Sequence, residues 1–470
     1  MDTPTRDETV AVGAADPLLP LDLGDGLVLR AATPADAEVL AVFNAEVHRE
    51  PGATEPDQGI AGWTRDLLER PHPTFRPDLF TLVEERATGA VVSCLNLIPQ
   101  TWSYGGVPFG VGRIELVGTH PDHRRRGLVR RQMEVVHRWS AELGHLVQGI
   151  TGIPWYYRQF GYEMTLVLGG SRQVPAWRVP SLPDGETEPY RVRPATPADL
   201  PFIAEVDTHG RARYLVSCVR DDAMWRYELD GRGDENGGRL VLAVVETAAG
   251  GDEAGRPVGF LAHTARLWGP GLAVAAYELA PGTSWLAATP TVLRYLRHTG
   301  ERYAATGARL GTSGGSDRLE VIGFRFGTDH PVYRALPDRA LPGSPPYAWY
   351  IRVPDLPAFL RHVAPVLEAR LAASAAVGHT GELRLDFYRD GLRLAFEGGR
   401  LTAVEPWSAD GQPGADAAFP PLTFLHLLVG HRSLAELEHL FADCHANTEE
   451  ARVLLDALFP PHPSLVWPVS

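Results

Sequence analysis

Arg124, Arg125 and Arg126 are followed at once by Gly127, between an apolar stretch ending near Thr119 and another beginning at Leu128. A strand that turns into a helix at this point exposes backbone N–H groups that no helical carbonyl satisfies. Those groups, with the helix dipole, bind phosphate. Gly127 lets the backbone approach a ligand closely, and the guanidinium groups add charge-assisted hydrogen bonds. A basic residue three places before a glycine arises about four or five times by chance in this composition. The signal therefore lies in the context: strand, Pro121, arginine cluster, glycine, amphipathic helix. Further on, YYRQFGYEM adds the phenols of Tyr156, Tyr157 and Tyr162, which pack as aromatic rings and can also hold a proton. His120 and His123 flank the arginine turn, while His426, His431 and His439 lack the i, i+4 spacing of a helical metal pair, so no metal is expected.

The elements that must position these groups are legible around them. VGRIELVGT reads as a strand, and LVRRQMEVVHRWSAEL as a helix with an apolar stripe at Val129, Met133, Val136 and Leu143. FTLVEE and AVVSCLNLIP form a hairpin around Thr88-Gly89, and LVQGITG is a further strand ending at Gly152. The alternation of strands and helices gives a mixed α/β class.

The chain also repeats itself. RAATPADAEVLAVFN at residues 30–44 returns as RPATPADLPFIAEVD at residues 193–207. Thr33 and Thr196 are placed as helix caps, Pro34 and Pro197 follow at the first helical position, and Asp36 and Asp199 at the third. A shift of 163 residues lays Glu115-Leu116 on Glu278-Leu279, and one of 166 lays Phe160-Gly161 on Phe326-Gly327. Matched points in the same order imply duplicated domains. The second copy loses the chemistry, because Ala287 falls opposite Arg124, Pro290 opposite Gly127 and Gly323 opposite Tyr157.

The chain of 470 residues is too long for one core. Its formal charge of −14 argues against a nucleic-acid partner and favours a cationic one. No apolar run reaches membrane-spanning length. Cys94, Cys218 and Cys444 are far apart and odd in number, which fits buried thiols in a reducing cytoplasm. Residues 1–24 lack a secretory pattern and read as a mobile acidic tail.

HRRRGL followed by YYRQFGYEM resembles the GCN5-related N-acetyltransferase (GNAT) superfamily, whose signature R/Q-x-x-G-x-G/A is met by Arg124 and Gly127, with Val129 in place of the usual small residue. More narrowly it is similar to the Eis (enhanced intracellular survival) acetyltransferases, which join two GNAT-like regions to a domain resembling sterol carrier protein 2. The resemblance implies α/β (α+β) domains at residues 25–180 (catalytic GNAT), 188–340 (degenerate GNAT-like) and 345–470 (sterol-carrier-like), and acetyl-CoA as cosubstrate. It implies that Val117, Gly118 and Thr119 bond the pantetheine arm. Arg124, Arg125, Arg126, Gly127, Leu128, Val129 and Arg130 then hold the pyrophosphate, and Gly152 marks where two strands part. Tyr157, with Tyr156 as the alternative, aligns with the family's general acid, and the α-carboxylate of Ser470 with its base. Glu46 and His48 fall where acceptor-binding elements lie. An Eis-like homohexamer is a further implication.

From about residue 378 the pattern alternates. Leu383, Leu385 and Phe387 share one face, Leu392, Leu394 and Phe396 another, with a turn signal at Asp390-Gly391 and three helical stretches after it. The last twelve residues, FPPHPSLVWPVS, read as an extended tail. Three readings remain at this stage: acetylation of a primary amine on a cationic small molecule such as an aminoglycoside or other polyamine; acetylation of protein or peptide lysine; and a non-catalytic lipid binder on a GNAT scaffold.

Overall fold

The structure, a computed structural model, describes residues 12–248, 254–307, 309–310, 318–336, 340–342, 345, 347–408 and 414–467. Both copies of the Thr-Pro-Ala-Asp phrase fold in the same way. Each forms a capping box in which the Asp36 or Asp199 carboxylate accepts from the backbone N–H of Thr33 or Thr196 at 2.8 Å. An ion triad that the repeat did not foretell locks each box. Arg30 donates to Asp36 at 2.8 and 2.9 Å and to Glu84 at 2.8 Å, and Arg193 donates to Asp199 at 2.8 Å and to Glu246 at 2.7 Å. The Arg193 guanidinium holds the Asp199 carboxyl well below the usual carboxylate range.

In the first copy the box leads into α1 (Ala37–Val47), followed by α2 (Gln58–Glu69) and, later, α3 (Leu128–Glu142). The strands of this region are β1 (Leu21–Gly24), β2 (Leu27–Ala31), β3 (Phe80–Glu85), β4 (Val91–Tyr104), β5 (Val107–Thr119), β6 (Val147–Ile150) and β7 (Glu163–Leu168). They pair in sequence order from β1 to β6, and the strand Tyr347–Arg352 is inserted between β6 and β7. β5 and β6 are parallel, joined by α3. α3 buries Leu128, Met133, Val135, Val136 and Trp139, while Val129 and Leu143 of the expected stripe lie at its edge.

The second copy builds a sheet in the order Arg172–Pro175, Val321–Phe324, Gly271–Leu279, Pro257–Thr264, Leu240–Thr247, Tyr190–Pro194, with Leu341–Pro342 at one edge. The third unit pairs Arg400–Trp407, Gly391–Glu397 and Gly381–Asp386, backed by the helices Phe424–Leu428, Leu434–Leu440 and Glu449–Leu458. Leu383, Leu385, Leu392, Leu394 and Phe396 all enter its core, as the alternation requires. Its turn spans Phe387–Asp390, with Tyr388 at φ +69°, and Gly391 starts the next strand instead of making the turn.

The element boundaries depart from the expected division in four places. Residues 12–24 are anchored and do not form a tail, while residues 1–11 lie outside the described residues: Val12 is buried, β1 extends the sheet, and Asp16 accepts hydrogen bonds from Arg138 and from Trp139 Nε1. Arg172–Pro175 leaves the first copy to pair with the second sheet. Val216–Val219 of the second copy pairs with β4, and Tyr347–Arg352 completes the first sheet. Sheet edges are hydrogen-bonding templates, and exchanging strands covers them.

Burial holds His137, His145 and His263 near pKa 4, below the ordinary imidazole value. The unfolded chain therefore binds more protons between pH 6.5 and 4, and stability falls as pH falls through that window, by about 1 kcal/mol per pH unit per histidine. The expected result is a lower urea midpoint at pH 5 than at pH 7, with a shallower pH slope in His145→Gln.

Candidate active site

β5 carries an irregularity that the sequence does not announce. Asn96 of β4 pairs with Glu115, but Cys94 pairs with Gly118, so Leu116 and Val117 form a bulge outside the ladder. Leu116 sits at φ +52°, a conformation that leucine adopts only when its surroundings impose it. Beyond Ile114 and Ile150 the ladder between β5 and β6 ends, and the two strands part. The gap opens into a cavity of about 840 Å³.

The arginine turn forms one end of that cavity. Arg125 at φ +63° and Gly127 at φ +77° wind the chain into α3, and no side chain caps the helix. The backbone N–H groups from Arg125 to Arg130 have no acceptor among the described residues. Arg124 and Arg125 have no carboxylate partner among the described residues, Arg126 pairs with the exposed Asp25, and Arg130 donates to Gln159 at 2.9 Å. Open amides at a helix start beside unpaired guanidinium groups suit a phosphate.

At the other end stand Glu115, Thr151 and Tyr157. Glu115 accepts from Arg113 at 2.6 Å. The Tyr157 side chain is 3 % exposed, its ring lies edge-on to Tyr156 and Tyr350, and its hydroxyl has no hydrogen bond among the described residues. Burial, followed by the Glu115 charge, pushes its phenol well above the ordinary tyrosine value. Tyr156 also lines the cavity and is also raised, first by burial, but the charge it feels is Arg130, at the phosphate end. Gly152, at φ +127°, passes so close to Tyr157 that a Cβ there would meet the phenol oxygen at 3.5 Å.

The cavity wall brings together Val117, Gly118, Thr119, Arg124 to Arg130, Gly152, Tyr157 and His48. Glu46 does not join them: it is exposed and pairs with Arg49 at 3.0 Å, because the last turn of α1 points it to solvent. The Nδ1 of His48 faces the carbonyl of Asn44 at 3.1 Å, at the end of α1, and the residue lines the cavity beside Val117 and Gly118. Burial lowers its pKa. Ser470 lies outside the described residues. The tail reaches them at Trp467, which stacks on Arg220 at 3.7 Å and accepts from it at 2.9 Å, after Leu465 bridges in parallel to Ser217. Sequence reasoning missed Leu116, Glu115 as a wall residue, Tyr347 and Tyr350. A leucine in a left-handed bulge and tyrosines nearly two hundred residues from the loop they bond leave no local signature.

The corresponding place in the second copy is built differently. The helix Trp285–Ala305 is capped by Ser284, whose hydroxyl accepts from Ala287, and its first turn has no basic residue. Glu278 is bonded to Arg213 at 2.5 Å and to His330 at 3.3 Å, and Phe326, Leu465 and Trp467 leave about 40 Å³.

A bulged strand, a splayed parallel pair and an uncapped, arginine-flanked helix start meet within the part of the chain that is similar to a GNAT acetyltransferase domain. Residues 38–165 match the family described as acetyltransferase (GNAT) domain, and the chain is an enzyme of the N-acetyltransferase class. The whole chain is similar in fold to a GCN5-related N-acetyltransferase from Kribbella flavida (18 % identity, TM-score 0.62, covering 94 % of this chain and 98 % of that one). It is also similar to Eis1 from Mycobacterium abscessus (16 %, 0.56, 93 % and 98 %) and to a probable N-acyltransferase from Enterococcus faecalis (14 %, 0.63, 93 % and 98 %). No curated protein matches the chain in sequence. Among the described residues there is no group of His, Cys, Asp and Glu able to hold a metal ion, and no helix long and apolar enough to cross a membrane.

Proposed function

We propose that the first copy binds acetyl-CoA and transfers its acetyl group directly to a primary amine on a cationic small molecule, such as an aminoglycoside or another polyamine. The observation that carries this reading is one cavity holding an anion-binding helix start at one end and an unpartnered phenol at the other. The cosubstrate would supply an activated thioester. The amides of Arg125–Arg130 and the side chains of Arg124 and Arg125 would hold its pyrophosphate. The backbone N–H groups released by the Leu116–Val117 bulge would polarise the thioester oxygen. Tyr157, kept neutral by burial, donates to the departing sulfur.

An alkylammonium of pKa near 10.4 is neutral in about one molecule in two thousand at pH 7, so losing its proton costs about 4–5 kcal/mol. The α-carboxylate of Ser470 is the base in this reading. The direction of the tail supports it: Leu465 bridges in parallel to Ser217, and Val216–Val219 runs antiparallel to β4, so the tail heads in the sense of the Asn96–Glu115 end of β4. The net charge of −14 favours a cationic acceptor. The three buried free cysteines suit a cytoplasmic enzyme.

The test is CoA release from acetyl-CoA against a panel of amines. Turnover with aminoglycosides or polyamines is the expected result. Turnover with lysine peptides alone would transfer the activity to protein substrates, and none with any amine would overturn the reading.

A further inference from the structure

The turn that carries Tyr157 does not hold itself. Between Gly152 and Trp155 the backbone enters the left-handed region twice, at φ +127° and φ +63°. For a tryptophan such a conformation costs of order 1–3 kcal/mol and persists only where the surroundings impose it. The Trp155 side chain is mostly exposed and, among the described residues, its ring stacks on Arg158 alone, so packing does not supply the restraint.

The restraint comes from the strand Tyr347–Arg352, which lies between β6 and β7 although it belongs to the start of the third unit. Tyr350 is fully buried. Its hydroxyl donates to the Ile153 carbonyl at 3.1 Å and accepts from the Trp155 N–H at 2.5 Å. Tyr347 donates to the Gly152 carbonyl at 3.0 Å, with its oxygen 3.4 Å from that of Tyr350. Two phenols thus bond three of the four residues in the turn. The Tyr350 ring also stands edge-on to Tyr157, with centroids 5.6 Å apart.

We infer that Tyr350, assisted by Tyr347, is a positioning residue for Tyr157. It fixes the turn from which the phenol points into the cavity, so the aim of the acid is set by a strand outside the catalytic region. The inference rests on the reading of Tyr157 as the acid. It also gives the strand exchange a functional reason: the third unit completes the site's geometry without touching substrate.

The experiment compares Tyr350→Phe, Tyr347→Phe, Tyr157→Phe and the Tyr157→Phe/Tyr350→Phe double variant in the full chain. Tyr350→Phe keeps the ring against Tyr157 and removes only the two hydrogen bonds. Misplacement of a catalytic group by about 1 Å costs up to about 100-fold, so kcat is expected to fall roughly 10- to 100-fold. KM for acetyl-CoA stays nearly constant because the arginine turn is untouched, and Tyr347→Phe gives a smaller fall. The double variant is expected to be no slower than Tyr157→Phe alone, because both changes act through one proton. Three results overturn the inference: an unchanged kcat in Tyr350→Phe while Tyr157→Phe is impaired, a multiplicative loss in the double variant, or a rise in KM matching the fall in kcat. An active Tyr157→Phe would instead overturn the assignment of the acid itself.

Discussion

Tyr157→Phe lowers kcat for acetyl transfer by about 10²- to 10⁴-fold, the range that a positioned proton donor contributes. The hydroxyl has no bond to lose among the described residues, so its removal strands no partner, and phenylalanine fills the same space against Tyr156, Tyr162 and Tyr350. Stability and KM for acetyl-CoA therefore remain close to those of the native chain. An alkyl thiol ionises near 8.5, whereas burial keeps the phenol protonated well beyond that pH. Loss of the phenol's proton therefore does not shape the alkaline limb of the pH–rate profile below that range, and the variant is expected to lose rate at every pH. Steady-state kinetics across pH measure this, and an unchanged kcat would remove Tyr157 from the mechanism.

Glu228→Gln is expected to cost about 3–5 kcal/mol of stability, the usual penalty for breaking a buried ion pair. Glu228 is fully buried between two buried arginines, accepting from Arg220 at 3.2 Å and from Arg232 at 2.5 Å. Desolvation opposes its charge, and the two guanidinium groups more than offset that, so its carboxyl lies below its ordinary value. Neutralising it removes the charge that the two buried guanidinium groups share. The change also reaches function, because Arg220 is the residue that holds Trp467. A lower urea midpoint together with a fall in kcat is the expected pair of results. Unchanged stability would mean that the triad is dispensable.

What the sequence made legible followed local rules. The arginine turn, the stripe of α3 and the paired capping boxes each lie within one strand-turn-helix phrase, where spacing alone dictates geometry. The alternation after residue 378 likewise placed Leu383, Leu385, Leu392 and Leu394 in one core. What stayed hidden depends on distant partners. The order of residues 12–24 rests on Asp16 meeting Arg138 and Trp139 from α3, and no local pattern encodes that meeting. Glu46 was placed at the site by its neighbourhood in the chain, but the helical turn between it and His48 faces it away. The strand exchanges are tertiary in the same sense: Tyr347–Arg352 reads as a strand of the unit it begins and pairs in the sheet it completes.

We propose that the duplicated scaffold keeps one anion cradle, in the first copy, and has lost the other. Calorimetric titration of CoA into the native chain and into an Arg124→Ala/Arg125→Ala variant tests it most directly. One CoA per chain is expected, with affinity reduced about tenfold or more in the variant, since a charge-assisted bond contributes about 1.5–3 kcal/mol. Two CoA per chain, none, or one whose affinity ignores those arginines would contradict it.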